Sequence, residues 1–596
     1  MRAEDVTGFK IWKYSILLLF LLAFTGVSVA ANHYVWCGAT GSATGADFTN
    51  AYADLPASLV RGDTYYIAGS ASCSYGAHTF NDALSGTSVI SILHATASAN
   101  SGVAGWQASF GTTPAEWLTS QAYRGWTVLW IIQQGYYTFD GELGTTGTTE
   151  PTSGTFGLYL HKTGDGVVPV YLDGSTNGAV LYNITLNHAE IDGSPMNVGN
   201  LVNGANGLMT VQSSGLQSVS GLSLHEVYMH DMETGFLQMH APANLTVDHS
   251  WFSRLMYTAS AHGNGVAINP YDGGYSASNL TFSNDTWEDV CGTSVITVMT
   301  GTISGLVIYG NTFFQTTNTE IFPGATNPSF CNGDGQIGDL GVGNGSSNSG
   351  GGLTTSATIY NNTFYSGSTS GGSGVFFTNT NSTNIVQTNN LFVNNQNLYL
   401  TMSCNGCSED HNTVLNQNLG YLFPCTGTGD SCQGTSKTLT SASVTSNVAD
   451  VVISSGHGLS LGSPVLVIGS NVTNTTPCGI DTYYPYPTVS NVVSGTEFKY
   501  TVQQTVPNAT CQAGYGVLFP SPVAQPFSSP GAKTFTLSSE TIDPHLNDGT
   551  TLPAPYNVDP LGLTRGADGT WERGAFEFVN GGGAPAPPTD LQAIPH

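Results

Sequence analysis

The chain has 596 residues, of which only 9% are charged, with 74 glycines and a formal net charge of −27. So large an acidic surplus argues against a nucleic-acid partner. The 40% hydrophobic and 10% aromatic content argues against disorder and for a β-rich folded chain. The length allows one long solenoid with small appendages or several compact domains.

Residues 1–30 read as a secretory signal peptide. Arg2, Lys10 and Lys13 form the basic region, Ile16–Phe24 the apolar core and Ser28-Val29-Ala30 the small-residue cleavage site. The apolar run is short for a bilayer span, and no second one follows, so no membrane span is expected after cleavage. All ten cysteines come after that point, which in an exported chain reads as disulfides. Sequence proximity suggests Cys37–Cys73, Cys291–Cys331, Cys425–Cys432 and Cys478–Cys511. The Cys404/Cys407 pair with Cys425 and Cys432 offers zinc as the alternative, which export disfavours.

Residues 31–150 read as an N-terminal cap and the first coils. A strand, a Gly-rich turn, a short helix across the open end and a strand entered at Gly62–Gly69 would shield an otherwise bare sheet edge. Trp106, Trp117, Trp126 and Trp130 follow and read as packing groups rather than sugar platforms.

Residues 151–435 hold a degenerate eight-residue unit. Its copies begin at Ile184, Leu222, Leu245, Leu280, Leu306, Ala357, Ile385 and Cys407, with tightest spacings of 22 and 23 residues. Positions one and three are mostly apolar, position six is Asn in the last four copies and position eight is large and apolar throughout. Two inward positions, a bend and further inward positions describe a strand that turns a corner, with Asn at the bend and as a ladder between coils. Second strands are expected at Phe236–Met239, Val266–Ile268, Val295–Val298, Val375–Phe377 and Leu398–Leu400. The pattern resembles the pectate-lyase-like superfamily, which implies an all-β, right-handed parallel β-helix. Val247–Ser253 (VDHSWFS) resembles the WIDHCSFS element of pectate lyases, and the stretch at His262 (AHGNGVAI) resembles the HGDGI element of such repeats.

Residues 436–520 break the period and read as a small β-barrel or sandwich module, in which His457 of "GHG" is a turn residue. Residues 521–580 are expected to return to the solenoid as closing coils and a C-terminal cap. Arg565 and Arg573 would pair there with Asp559, Asp568, Glu572 or Glu577. Residues 581–596 read as a flexible tail.

Ionisable groups are scarce enough for their placement to matter. Between Lys162 and Lys437 the only Lys or Arg is Arg254, and six of the fourteen histidines lie between 188 and 262. Direct stacking puts His188, Glu226 and His249 in one outward file, ~5 Å per step. His188, His225 and Trp251 are then candidates for substrate binding, and Glu226, Asp248, His249, Arg254 and His262 for catalysis. The expected partner is an extracellular polysaccharide, acted on by a lyase or a hydrolase. The acidic charge favours a neutral glycan, and calcium enters only as a bridge to an anionic one. The contrasting expectation is a non-catalytic adhesin or structural surface protein. Substrate and oligomeric state are not legible.

Overall fold

The structure is a computed structural model that describes residues 30–578, apart from the internal segments 163–166, 178–179, 195–205, 211–217, 256–263, 269–275, 291–293, 316–342, 345–351, 367–380, 394–405, 416–427, 429, 433–436, 470–479, 481, 483–486, 504–506, 512–515, 520–525 and 540. The signal-peptide segment, the tail, His262 and the second strands expected at 375–377 and 398–400 therefore lie outside the described residues.

The chain forms a parallel β-helix. All eight units stack in register, from Ile184 opposite Leu222 through Leu245, Leu280, Leu306 and Ala357 to Ile385, with Ser408 opposite Val386. Each unit turns a corner. In the first two copies the strand runs unbroken through it, as Leu181–Asp192 and Val219–Met232; in later copies it splits, as in Ala243–Asp248 and Trp251–Leu255. A second parallel sheet includes Gly235–Met239, Asn264–Ile268 and Ser294–Val298. The stack also starts earlier than the repeat count suggests. Asn32–Val35, Thr64–Ile67, Ile90–His94 and Tyr137–Asp140 pair successively and deliver the ladder to Ile184.

The corner is one residue earlier than the Asn positions. Its left-handed residue is position five: His188, Glu226, His249, Asn284, Gly310, Asn361, Asn389 and His411, all at φ between 45° and 68°. Position six is buried and carries the ladder. The Asn311 Nδ2 donates to Asn362 Oδ1 (3.1 Å), Asn362 to Asn390 (3.0 Å) and Asn390 to Asn412 (2.9 Å). Each amide also donates to the position-three carbonyl of the coil before, as Asn362 does to Ile308 (3.0 Å). The ladder runs on into positions that are not Asn: Asp285 Oδ1 accepts from the Ser250 amide (2.8 Å), and Ser250 Oγ from the Val227 amide (3.1 Å). Position eight supplies the inner stack. Phe252, Trp287, Phe313, Phe364 and Phe392 lie nearly parallel at centroid separations of 4.1, 6.3, 4.9 and 4.6 Å.

At the N-terminal end the expected capping helix does not form. Residues 46–59 are turns and bends that bury Phe48, Leu55 and Leu59, and the one α-helical turn among the described residues is Ala97–Asn100. Trp117 and Trp130 are fully buried. Cys37 and Cys73 form a disulfide, and Cys407 and Cys511 are each in a disulfide of their own whose pairing lies outside the described residues. Each of the other three expected pairs has a member outside the described residues. No helix among the described residues is long and apolar enough to cross a membrane.

Between 437 and 519 seven strands form antiparallel pairings around their own core, which includes Val451, Phe498 and Tyr500. His457 is buried there, its Nδ1 accepting from the Leu459 amide (2.9 Å). Residues 526–578 then do something the closing-coil expectation misses. They add no coil but run back along the outer flank of the solenoid, beside the corner. The His545 carbonyl meets Thr413, the Thr550 carbonyl meets Asn389 and the Tyr556 carbonyl meets Asn361, while the Tyr556 ring packs against Tyr309 and Tyr360. Phe527, Phe535, Leu546 and Phe576 of this strap cover Trp251, Phe314, Tyr365 and Leu391. The reason is positional: outward positions beyond the corner are apolar here, so they need a cover.

Candidate functional site

The corner of the first coils, the 141–157 loop and the strap enclose a cavity of about 350 Å³. Its lining includes His188, His225, Glu226 and His249 from the solenoid, Thr145–Thr148 from the loop, and Pro560, Leu561 and Phe576 from the strap. The three histidines form a file with successive edge-on ring contacts at 6.1 and 5.7 Å. Register places them together. Asn187, His225 and Asp248 pair across adjacent strands at position four, and the left-handed turn at position five swings the next side chain outward.

Every ring is braced by an aspartate. The His188 Nδ1 lies 2.8 Å from Asp140 Oδ1, and Asp248 Oδ2 takes both His225 Nδ1 (3.2 Å) and His249 Nδ1 (2.7 Å). The other Asp248 oxygen accepts from Ser283 Oγ (2.7 Å) and Asn284 Nδ2 (3.1 Å). Burial would raise the Asp248 carboxyl, but the hydrogen bonds from His225 and His249, the charge of His249 and the Ser283 bond hold it far below the usual range. Burial would likewise push His188 and His249 down; Asp140 and Asp248 overcome it and raise both imidazoles. His249 is also bound through the Pro560 backbone, so it ties the strap to the corner. Glu226 is held by Thr146, whose amide and hydroxyl both donate to Oε2, the hydroxyl at 2.8 Å. Its Oε1 and the Nε2 of His225 make no protein hydrogen bond among the described residues. Asp285 reaches the wall from the ladder, and burial and the nearby Asp248 charge raise its carboxyl well above the normal range.

Two expected site residues lie elsewhere. Trp251 is buried under the strap, its indole donating to Glu288 Oε2 (2.9 Å), so it offers no face to a sugar. Arg254 does not line the cavity. It is clamped by Asp231 (2.7 Å from Nε) and Glu150, and Glu150 is further held by Tyr228 (2.8 Å) and Lys533 (2.6 Å). A cation neutralised twice over is a strut between strand, loop and strap, not a free charge. Asp248 stands behind the histidines rather than at the cavity surface, and His262 lies outside the described residues. Beside Arg254 sits a second buried network. His230 Nδ1 meets Asp231 Oδ2 (2.6 Å) and its Nε2 meets Glu190 Oε1 (3.1 Å). Burial would lower this imidazole, but the hydrogen bonds to Asp231 and Glu190 raise it to about 9.

Sequence reasoning missed Asp140, Thr146, Asp285 and the strap wall. Asp140 had a signal: Tyr137–Asp140 alternates like position one to four of a coil, and it pairs with Ile184–Asn187. Thr146 and Phe576 had none, since nothing local places a loop or a distant segment over the corner.

No family profile matches the chain, and no curated protein matches it. Solved structures do resemble it. A GH136 lacto-N-biosidase from Eubacterium ramulus is 10% identical over 71% of this chain and 70% of its own, at a TM-score of 0.37. An alginate lyase from a Paenibacillus strain is 11% identical over 60% and 98%, at 0.29. The surface adhesin PfbA of Streptococcus pneumoniae is 8% identical over 70% and 92%, at 0.32. Likeness at this level says nothing of what this chain binds or acts on.

Proposed function

We propose that this is an exported enzyme of extracellular polysaccharide, and that the cavity hydrolyses a glycan: one of Glu226 and His225 protonates the leaving glycosidic oxygen while the other takes a proton from the attacking water, whose oxygen bonds to the anomeric carbon. One observation carries the reading: a ligand-sized cavity in which Glu226 Oε1 and His225 Nε2, without a protein hydrogen bond among the described residues, belong to side chains fixed from behind by Thr146 and Asp248. Fixing Nδ1 selects the ring nitrogen left for a ligand, and a preoriented pair needs no reorganisation at the moment of reaction. Hydroxyls of Thr145, Thr146 and Thr148 and the Phe576 and Leu561 side chains give the mixture of polar and apolar wall that a sugar ring requires. Asp140, Asp248 and Glu226 outnumber the raised His188 and His249, so a neutral glycan fits better than a uronate.

The test is a screen of purified protein against neutral and uronic-acid polysaccharides, with and without calcium, following new reducing ends and unsaturated ultraviolet-absorbing products. Reducing ends without unsaturation are expected, falling ~10²-fold or more in His225→Ala and Glu226→Gln. Cleavage unchanged in both variants overturns the site. Retention on affinity gels without cleavage establishes a binding protein instead.

A further inference from the structure

Within the strap, the loop between its two pocket-lining stretches carries a concentration of acid that the flank packing does not use. Asp559, Asp568, Glu572 and Glu577 stand against two arginines, and Arg573 is spent elsewhere, on Asp548 (2.5 Å), the Asn412 carbonyl and Thr413. Asp559 is satisfied by the amides of Leu561, Leu563 and Glu577. Glu572 and Glu577 are not. Ligand oxygens of Asp568, Glu572 and Glu577 lie within 4.8 Å of one another. Glu572 is fully buried and no donor group reaches either of its carboxyl oxygens, which face the carboxyl of Glu577 instead; Glu577 is 7% exposed, with Oε1 on the Gly566 amide (2.7 Å) and Oε2 reached by no donor. The neighbouring Arg565 does not resolve this: it donates to the Ala575 carbonyl, while its Nε and Nη1 stay unpartnered.

Two buried carboxyls that face each other with no donor between them are expensive to leave so, and with one oxygen of each within 4.8 Å of a third, solvent-facing acid they describe a socket with one open side. We infer that Asp568, Glu572 and Glu577 hold a hard divalent cation, of the calcium class, that locks the strap loop. All donors are oxygens, which selects calcium or magnesium over zinc or copper, and the exposed side at Asp568 leaves room for the waters that complete six to eight ligands. Asp568 Oδ1 is already preoriented by the Thr570 amide (2.9 Å) and hydroxyl (2.8 Å). The loop joins Pro560 and Leu561 to Phe576, so the ion would fix the outer wall of the cavity whatever ligand the cavity takes.

The experiment uses full-length protein stripped with chelator. Calcium titration by calorimetry should show binding, with a melting temperature several degrees higher at millimolar calcium. Terbium should luminesce when excited through Trp571, the residue next to Glu572. Asp568→Asn, which alters an exposed group and leaves the core intact, should weaken calcium at least tenfold and abolish the terbium signal; Glu572→Gln should do the same if it folds. Terbium emission and the calcium-induced rise in melting temperature both surviving Asp568→Asn would overturn the site. So would a protein that ignores millimolar calcium and gains stability only on acidification, because the carboxyls would then be sharing a proton.

Discussion

Coils five to eight, from Leu306 to Leu415, and coils one to four, from Ile184 to Val290, use the same corner for different ends. In the later coils position five is Gly310, Asn361, Asn389 and His411 and position six is Asn in every copy, so apart from His411 glycine and amides turn the chain and tie it to the next coil. In the earlier coils the same positions read His188 and Ala189, Glu226 and Val227, His249 and Ser250, Asn284 and Asp285. There the ladder falls back on a hydroxyl and an acid, and the left-handed corner, which favours Gly and Asn, carries charged side chains instead. Local rules are broken mostly where the cavity lies, with His411 the exception among the later corners.

The comparison breaks most visibly in the neutral half. Phe364 is fully buried between Phe313 and Phe392, and coils on both sides hold its rings in place, so the site cannot collapse. Phe364→Ala should cost about 3–5 kcal/mol, read as a lower denaturant midpoint. A cost under ~1 kcal/mol would mean that the stack is not what holds these coils.

The charged half should betray itself through pH. His230 is held charged among Asp231, Glu190 and Asp192, with its folded pKa raised to about 9 against an unfolded value near 6.5. A raised imidazole contributes stability that is fully present below about 6.5 and lost as pH rises through about 9. The whole shift corresponds to at most ~3 kcal/mol. Unfolding free energy should therefore decline between those limits, and the decline should flatten in His230→Gln. An equal slope in both proteins would place the titration elsewhere.

The solenoid was legible because the period, the inward positions and the Phe stack are written in each copy, and stacking repeats them in space. The file of His188, Glu226 and His249 was legible for the same reason: register converts position five into a column. What lay outside the period was lost. Arg254 and Trp251 follow the corner by a few residues and would face solvent on a bare solenoid; the strap, some 280 residues later, buries one and helps to clamp the other through Lys533 and Glu150. Position six was read as the bend because Asn is common at bends, whereas burial and the ladder explain Asn there better than φ does.

The smallest effect tests whether the two halves share one ladder. Asp285 occupies the position of Asn311, Asn362, Asn390 and Asn412, whose amide nitrogens donate to Phe282, Ile308, Ile359 and Gln387, each at position three of the coil before. The equivalent carbonyl for Asp285 is Val247, and Oδ2 has no partner. Burial and the Asp248 charge drive the acid to keep its proton. An acid raised in this way stabilises fully only below the unfolded carboxyl range, near 4, and that stability is lost as pH rises from there through the folded value. Asp285→Asn supplies the missing donor without a proton to lose. It should be near neutral at pH 4 and stabilising by about 1 kcal/mol or more at pH 8, with the gain in melting temperature growing between the two. If the variant melts lower at pH 8, the acid serves the cavity rather than the ladder, and Asp285 joins Glu226 as a group the site requires.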